Sequence, residues 1–469
     1  MIAGLCLLLQ VMGSCARSQA VDTNGAGSIV TLTVNSNQVL REDANRFVGI
    51  DVNYIRDMDA NREPGARPLT DALNDMGARW LRYPGGEKSD YYQWSQPPFN
   101  SPNPISLGDY AHYHGVRMDF DKYIATARAV RAEPFVVVGF GPEQSSGMSE
   151  QQWIDSAAAW VKYANITKKN NVRYWEIGNE NWNNKGRSAA ETAQAVVQFS
   201  KAMKAVDPTI NIGASGSNDS WWKDFLPIAS SSLDFLIESD YPCYNWQGYS
   251  SFLRDPDLAG AIETAEHAID RYAMPADTSR LKVIATEVNS ADFANPGWPK
   301  TNTLGHALVT FDTLGQAMEQ KRAVCAMVWT TRWMDDTEAL KSQWYALGPA
   351  NNLLPTGRAV AMWGQFLQSD LVTTSGATQL VTAYASRSND GKRTSIWIIN
   401  RDMTAPAVVN AVVANQPRQY HQATRYEFSG SGADDPSPAW RVLGRVNTKG
   451  DQIAALTIPP LSVTILTLQ

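Results

Sequence analysis

The run RYWEIGNENWNNKGRSAAETAQAVVQFSKAMKAV, Arg173–Val206, holds one complete structural unit. Its head, Arg173–Ile177, is a short strand-like segment. Its tail, Ser188–Val206, repeats Ala, Val, Phe and Met on one face and stops at Asp207-Pro208. That is the pattern of a helix packed on one side. A strand followed by such a helix is the repeating unit of a parallel sheet.

The same texture recurs on both sides. Candidate strands are Phe47–Val52, Arg79–Tyr83, Pro134–Phe140, Arg173–Ile177, Ile210–Ala214, Leu233–Ile237, Leu281–Thr286 and Val324–Thr330. Several are continuous apolar runs, as expected when both faces of a strand are buried. Helical patterns fall between them. Glu150–Lys168 carries Trp153, Ala157, Trp160 and Val161 at helical spacing. Asp257–Tyr272 and Thr303–Gln320 behave alike, and Pro355–Leu367 would close the set. Eight strand-then-helix units fit an α/β fold of the (β/α)8 TIM barrel type. A doubly wound sheet is the rival. However, no glycine-rich phosphate loop follows the first strand, and Gly139-Phe140-Gly141 comes after the third and lacks the third glycine.

The flanks differ. Val30, Leu32 and Val34 alternate with threonines, a half-buried strand. Beyond Val372, the strand-like runs Arg393–Asn400, Ala407–Val413 and Ser462–Leu468 are separated by turn-rich stretches such as Ser429–Pro438. This predicts an accessory antiparallel β-sandwich. The early strand has no barrel partner and is expected to join it. The expected division is a signal segment over 1–20, an N-terminal strand over 28–45, the barrel over 46–370 and the sandwich over 371–469. Because the tail shares the N-terminal strand, it reads as a packing partner of the barrel rather than a separate glycan-binding module.

Composition narrows the function. Of 469 residues, 43% are hydrophobic and 19% charged, which excludes wholesale disorder. Lys and Arg number 41 against 47 Asp and Glu, a net charge of −6, so no nucleic-acid partner is expected. Five histidines and four cysteines count against a metal-rich or disulfide-rich design. His112-x-His114 would need further histidines at later strand ends, but His267 and His306 fall inside helices. No metal and no organic cofactor is expected. The 16 tryptophans are either large core residues or flat rings for stacking on sugars.

Leu5–Met12 is apolar, too short to span a bilayer and suited to an export signal. Met12-Gly13-Ser14-Cys15 resembles a lipoprotein box with Cys15 as the acylated residue, and Ser18-Gln19-Ala20 resembles an ordinary cleavage site before Val21. Either reading sends the chain out of the cytoplasm, to the periplasm, cell surface or medium. Contact with a membrane would come only through Cys15. Beyond position 20 only Cys243 and Cys325 remain, as one disulfide or as two free buried thiols.

Active sites of such barrels sit at the carboxyl ends of the strands. The fourth strand ends Trp175-Glu176-Ile177-Gly178-Asn179-Glu180-Asn181-Trp182, and the seventh ends Val283-Ile284-Ala285-Thr286-Glu287-Val288-Asn289-Ser290. Each delivers a glutamate, Glu180 and Glu287, to the same rim, from strands that face each other. Two carboxylates across one cleft are what glycosidic cleavage needs. One must be protonated to assist the leaving oxygen, and the other ionised to attack carbon or activate water. Repulsion and partial burial would assign the roles. Glu176 shares the parity of Glu180 but lies deeper, which suits a structural role.

The pairing of WEIGNE (Trp175–Glu180) with IATE (Ile284–Glu287) resembles the clan A retaining glycoside hydrolases. RWLRYPGG (Arg79–Gly86) resembles the strand-two motif of the α-L-arabinofuranosidase branch, with similar layouts in the β-xylosidase and β-glucuronidase/heparanase branches. The resemblance implies that Glu180 is the general acid/base and Glu287 the nucleophile. Asn179 would bind the hydroxyl beside the anomeric carbon, and Arg82 would keep Glu287 ionised. Tyr241 or Tyr244 would orient Glu287, and Trp329 would form the floor under the sugar. Two departures touch the expected sugar subsite: Asp240 stands where relatives often have His, and Glu87-Lys88 follows the double glycine where arabinofuranosidases tend to have Asn.

Trp182, Trp246, Trp333 and Trp344 are candidates for either sugar stacking or packing. Lys88, Lys185 and Arg332 could bind an acidic glycan or be solvated surface cations. The reading that results is a retaining glycoside hydrolase acting on a poly- or oligosaccharide through a covalent glycosyl-enzyme, with carboxyl groups about 5–5.5 Å apart. The alternatives are a glycan-binding surface lipoprotein on the same fold, or a transglycosylase using the same residues.

Overall fold

The computed structural model describes residues 29–95, 105–108, 111–112, 115–183, 186–242, 248–253, 257–290, 302–332, 345–416, 420–448, 450 and 452–469. Eight parallel strands close into a barrel in chain order: Val48–Asp51, Trp80–Tyr83, Glu133–Val138, Tyr174–Ile177, Asn211–Ser215, Phe235–Asp240, Lys282–Val288 and Ala323–Val328. The expected barrel is present.

Side chains alternate along each strand. Trp80, Phe135, Phe235, Ile237, Ile284, Cys325 and Met327 point inward and form one apolar plug. Their neighbours Leu81, Val136, Trp175, Leu236 and Val283 join the larger core beneath the helices. Burial on both faces is why the strands read as unbroken apolar runs. The plug fills the lower barrel, so the next inward residues toward the carboxyl ends are the ones free to be polar. Cys325 is a free, buried thiol in that plug, and Cys243 lies outside the described residues.

The helix after the fourth strand runs Ala189–Val206. It opens on a capping box: Ser188 Oγ accepts from the Glu191 N–H, and the Glu191 carboxylate accepts from the Ser188 N–H at 2.8 Å. Ala189, Ala193, Val196, Phe199 and Met203 form the buried stripe that holds it on the barrel. The segment expected as one helix over Glu150–Lys168 is α-helical only over Glu150–Val161 and widens to a π-helix over Lys162–Thr167. There Asn165 clamps both the N–H and the C=O of Val172, at 2.7 and 2.9 Å, tying the helix end to the chain entering the fourth strand.

The second unit is a nine-stranded sheet that folds over its own core. Ile29–Arg41 lies inside it, antiparallel to Asp370–Ser375 and parallel to Ala407–Ala414. The remaining pairs are antiparallel. Leu32 and Val34 pack with Ile396, Ile398, Val409 and Leu466. The sheet meets the barrel through an aromatic cluster. Trp363 stacks on Phe311 with centroids 4.5 Å apart and packs on Trp397 at 4.6 Å. Both indoles are satisfied, Trp397 by the Met362 carbonyl at 2.7 Å and Trp363 by that of Phe311 at 2.9 Å. Trp94, Trp153, Trp160, Trp175, Trp222, Trp363 and Trp397 are all fully buried. For these seven the tryptophan excess is packing, not sugar recognition.

Candidate active site

The fourth strand ends in a sharp turn. Gly178 and Glu180 both take positive φ, 64° and 40°. A Cβ on Gly178 would overlap Asn181 Oδ1. Asn181 locks the turn by donating its side-chain amide to the Ile177 carbonyl at 2.7 Å and its N–H to Ser215 Oγ at 3.0 Å. A non-glycine residue in this region costs about 1–3 kcal/mol and persists where its surroundings over-determine it. The turn leaves Asn179 buried and Glu180 partly exposed at the mouth. Asn179 is held from behind, its N–H donating to Asp90 Oδ1 at 3.0 Å.

The seventh strand reaches the mouth differently. Ile284 points inward and Ala285 outward, so simple alternation would send Thr286 inward and Glu287 toward the helices. The register breaks here. Ala285 pairs with Glu238 and Glu287 with Ser239, which leaves Thr286 as an extra residue. This bulge turns Glu287 into the barrel and returns Val288 to the outer core.

Arg82, fully buried at the end of the second strand, joins the two ends. Its Nε and one terminal nitrogen form a fork on Glu176, at 2.8 and 3.0 Å. The same terminal nitrogen reaches Asn179 Oδ1 at 2.7 Å. The other donates to Glu287 Oε1 at 2.8 Å and Asp51 Oδ1 at 3.3 Å. Tyr241 donates its hydroxyl to Glu287 Oε2 at 2.7 Å. Both oxygens of Glu287 therefore accept hydrogen bonds, one of them charge-assisted, as an ionised carboxylate does. Because Arg82 takes Asn179 through Oδ1, the amide NH2 is directed away from the guanidinium.

Glu180 is in the opposite situation. Burial, and then the charge of Glu287, push its pKa up to about 7, against hydrogen bonds from Ser239 and Asn183. The pair is thus split into an acid that holds its proton near neutrality and a carboxylate held by a cation. The remaining charges are also shifted. Burial raises Glu176 to about 7 despite Arg82. Burial also lifts Asp51 well above the carboxylate range, against the pull of Arg82. Arg82 itself is raised: burial opposes its charge, but Glu176, Asp51 and Glu287 outweigh it.

Trp329 follows the eighth strand, and its ring lies against the backbone of Gly86. Lys88 Nζ stands 4.8 Å from the ring centroid, and burial lowers its pKa to about 8. Gly85 and Gly86 have φ of 87° and 62°, and a Cβ on Gly86 would overlap the Trp329 indole. The double glycine therefore serves both the turn and the ring. Gly86→Ala is expected to cost about 1–3 kcal/mol of stability through overpacking. Displacing the indole should also raise KM. Urea melts together with steady-state kinetics would check both, and unchanged KM would detach Trp329 from the site.

The structure thus brings together Arg82, Asn179, Glu180, Tyr241, Glu287 and Trp329. Trp182 lies two residues beyond Glu180 and is partly buried. Tyr244, Trp246, Trp333, Trp344 and Lys185 lie outside the described residues. Arg332 is no surface cation: it is buried and paired with Asp57 and Asn351. Asp240 does not face the sugar side. Phe235, Ile237, Ser239 and Tyr241 point into the barrel, so Asp240 shares the outward parity of Leu236. Burial, then the charge of Asp257, lift it to about 8. Asp51, Asp90 and Ser239 were not singled out from sequence, although Asp51 and Ser239 obey the same strand-end rule that marked the glutamates. Among the described residues no three His, Cys, Asp or Glu side chains are grouped to hold a metal ion.

Residues 72–256 match the sequence model of the alpha-L-arabinofuranosidase 1 domain. Alpha-L-arabinofuranosidase C of Emericella nidulans is 26% identical, with 46% of this chain and 46% of that protein covered. The chain spans about half the length of the curated relatives it matches. Among solved structures, the family 51 α-L-arabinofuranosidase of Thermotoga petrophila superposes with a TM-score of 0.72 at 20% identity, over 94% of this chain and 100% of that one. The α-L-arabinofuranosidase of Thermotoga maritima, solved with arabinose, gives 0.71 at 19% identity, over 93% and 99%. The resemblance to the arabinofuranosidase branch is borne out, and the matched stretch includes the strand-two and strand-four motifs.

Proposed function

We propose, from the likeness of residues 72–256 to the arabinofuranosidase domain, that this chain is a retaining glycoside hydrolase releasing α-L-arabinofuranosyl units from arabinose-bearing poly- or oligosaccharides. The observation that carries the mechanism is the unequal treatment of the two glutamates. Glu287 is gripped by Arg82 and Tyr241, while Glu180 holds its proton to about pH 7. In the first step Glu287 attacks the anomeric carbon as the glycosidic bond breaks, and Glu180 gives its proton to the departing oxygen. In the second step Glu180 takes a proton from water. The hydroxide so formed displaces Glu287 from the same carbon, with net retention. Asn179, oriented by Arg82, would donate to the neighbouring hydroxyl as charge builds on the ring.

The direct test is sugar release from 4-nitrophenyl α-L-arabinofuranoside and from arabinoxylan by the wild type. Release of arabinose from neither would remove the substrate assignment. A second expectation follows from Glu180. Because it must be protonated, kcat/KM should fall as pH rises through about 7. In Glu180→Ala that limb should vanish, with activity kept only on substrates whose leaving group needs no proton. A pH profile with 4-nitrophenyl and 2,4-dinitrophenyl arabinofuranosides reads this, and an unchanged limb would assign it to another group.

Export is part of the proposal, either with a lipid on Cys15 or with cleavage before Val21. The apolar run Leu5–Met12 supports it. Fractionation of expressing cells, with Cys15→Ala beside the wild type, separates the two routes.

A further inference from the structure

A cavity of about 360 Å³ opens on the flank of the barrel where the nine-stranded sheet packs against it. It is lined by Asp75, Arg358, Gln365, Phe366, Tyr426 and Trp440, with Ala361 and Met362 at its back. We propose that this cleft is a second saccharide-binding site, taking a neutral glycan chain, separate from the site at the barrel mouth. The proposal rests on the glycan-directed reading of the chain.

Three features point to a sugar. The first is the aromatic surface. Tyr426 and Trp440 lie with ring planes 16° apart and centroids at 5.8 Å, and Phe366 meets Tyr426 edge-on at 4.8 Å. All three rings are only partly buried, unlike the fully buried aromatics of the neighbouring interface. Partly exposed aromatic rings lining a cleft suit the C–H groups of a sugar.

The second is the polar edge. The Arg358 guanidinium stands 5.4 Å from the Trp440 centroid, which fixes a fork of donors beside the rings. Gln365 is pinned at the rim by its amide NH2, which donates to the Asn74 and Asp75 carbonyls at 2.6 and 2.9 Å. Asp75 is itself held by Arg67 at 2.5 Å. The edge thus carries donors and acceptors of both charges, which suits hydroxyl groups better than a charged ligand.

The third is the position. Asp75 ends the helix Leu69–Met76, and Gln365 and Phe366 follow the helix Pro355–Gly364. Helices of a barrel run back against its strands, so these ends lie away from the mouth where Glu180 and Glu287 stand. Trp440 sits on Ala439–Val446, an edge strand of the sheet. Beyond the cleft this strand leaves Val442 64% exposed on the same side, which extends the apolar platform for a chain longer than one sugar. A glycan held there would tether the enzyme to a polymer while the mouth works on neighbouring chains, raising effective concentration.

Affinity electrophoresis in soluble arabinoxylan tests this, with Glu287→Gln as the parent so that the polymer is not consumed. Trp440→Ala in that parent removes the platform. Gln365→Trp fills the cleft from the exposed helix end without emptying the packing. Each should weaken retardation at least fivefold. In the wild-type background each should keep kcat/KM on 4-nitrophenyl arabinofuranoside within twofold, which also reports intact folding. Retardation equal to the parent in both variants overturns the second site, as does a parent that is not retarded although the wild type hydrolyses the aryl substrate. Trp440-dependent retardation by a chain that does not hydrolyse the aryl substrate keeps the cleft and removes the arabinofuranosidase reading.

Discussion

Glu287→Gln is expected to lower kcat/KM on an aryl α-L-arabinofuranoside by at least about 10⁴-fold while the chain stays folded. Glutamine has nearly the same shape. Its carbonyl oxygen can still accept from Arg82 or Tyr241, the two donors that hold the native carboxylate at 2.8 and 2.7 Å. Arg82 keeps its fork on Glu176 and its bond to Asn179. What is lost is the negative charge and the nucleophilic oxygen. Thermal melts beside steady-state kinetics separate the two effects. A variant within tenfold of the wild type would move the nucleophile to another residue.

Arg82→Met should have the largest effect on stability. The guanidinium meets Glu176, Asp51, Glu287 and Asn179, all buried. Removing one partner of a buried ion pair costs about 3–5 kcal/mol, because the charge left behind has neither water nor partner. Here three carboxyl groups lose their main cation at once. Carboxyls left without a cation take up protons rather than stay charged, so Glu176 and Asp51, already raised by burial, would rise further above their unfolded values. By linkage, the variant's stability is kept at low pH and lost as pH rises through the raised values. The variant's urea midpoint should therefore fall further below that of the wild type at pH 8 than at pH 5. Arg82→Lys should not restore it, since one ammonium cannot present a planar fork to Glu176 while reaching Asn179 and Glu287. A pH-independent loss of less than about 1 kcal/mol, the size of a surface pair, would contradict this account of the network.

The barrel was legible because its strands are buried on both faces. Continuous apolar runs such as that around Val136–Val138 have no other ready explanation, and each expected strand overlaps an observed one. Less regular elements were hidden for physical reasons. The helix Asp219–Ala229 carries Pro227, which reads as a break, and Leu69–Met76 is only eight residues long. In the sheet, Ala439–Val446 is an edge strand with no buried row to give it alternation.

At the site, Glu180 and Glu287 were readable from their place at strand ends. The way Glu287 arrives there was not. Alternation from Ile284 points Thr286 inward, and no residue in Ile284–Glu287 announces the bulge that corrects it. Asp240 was misread for the related reason that adjacent residues on a strand face opposite sides. Arg332 looked like a rim cation because its partner, Asp57, lies far away in sequence.

Trapping of the covalent intermediate would separate the roles of the two glutamates in one experiment. Glu180→Ala, given 2,4-dinitrophenyl α-L-arabinofuranoside, loses the base of the second step but needs no acid for the first. The expected result is a burst of one equivalent of dinitrophenolate, an intact mass increased by one pentosyl unit, and that unit on the peptide carrying Glu287. Turnover with no adduct, inverted product, or an adduct on any other residue would contradict it.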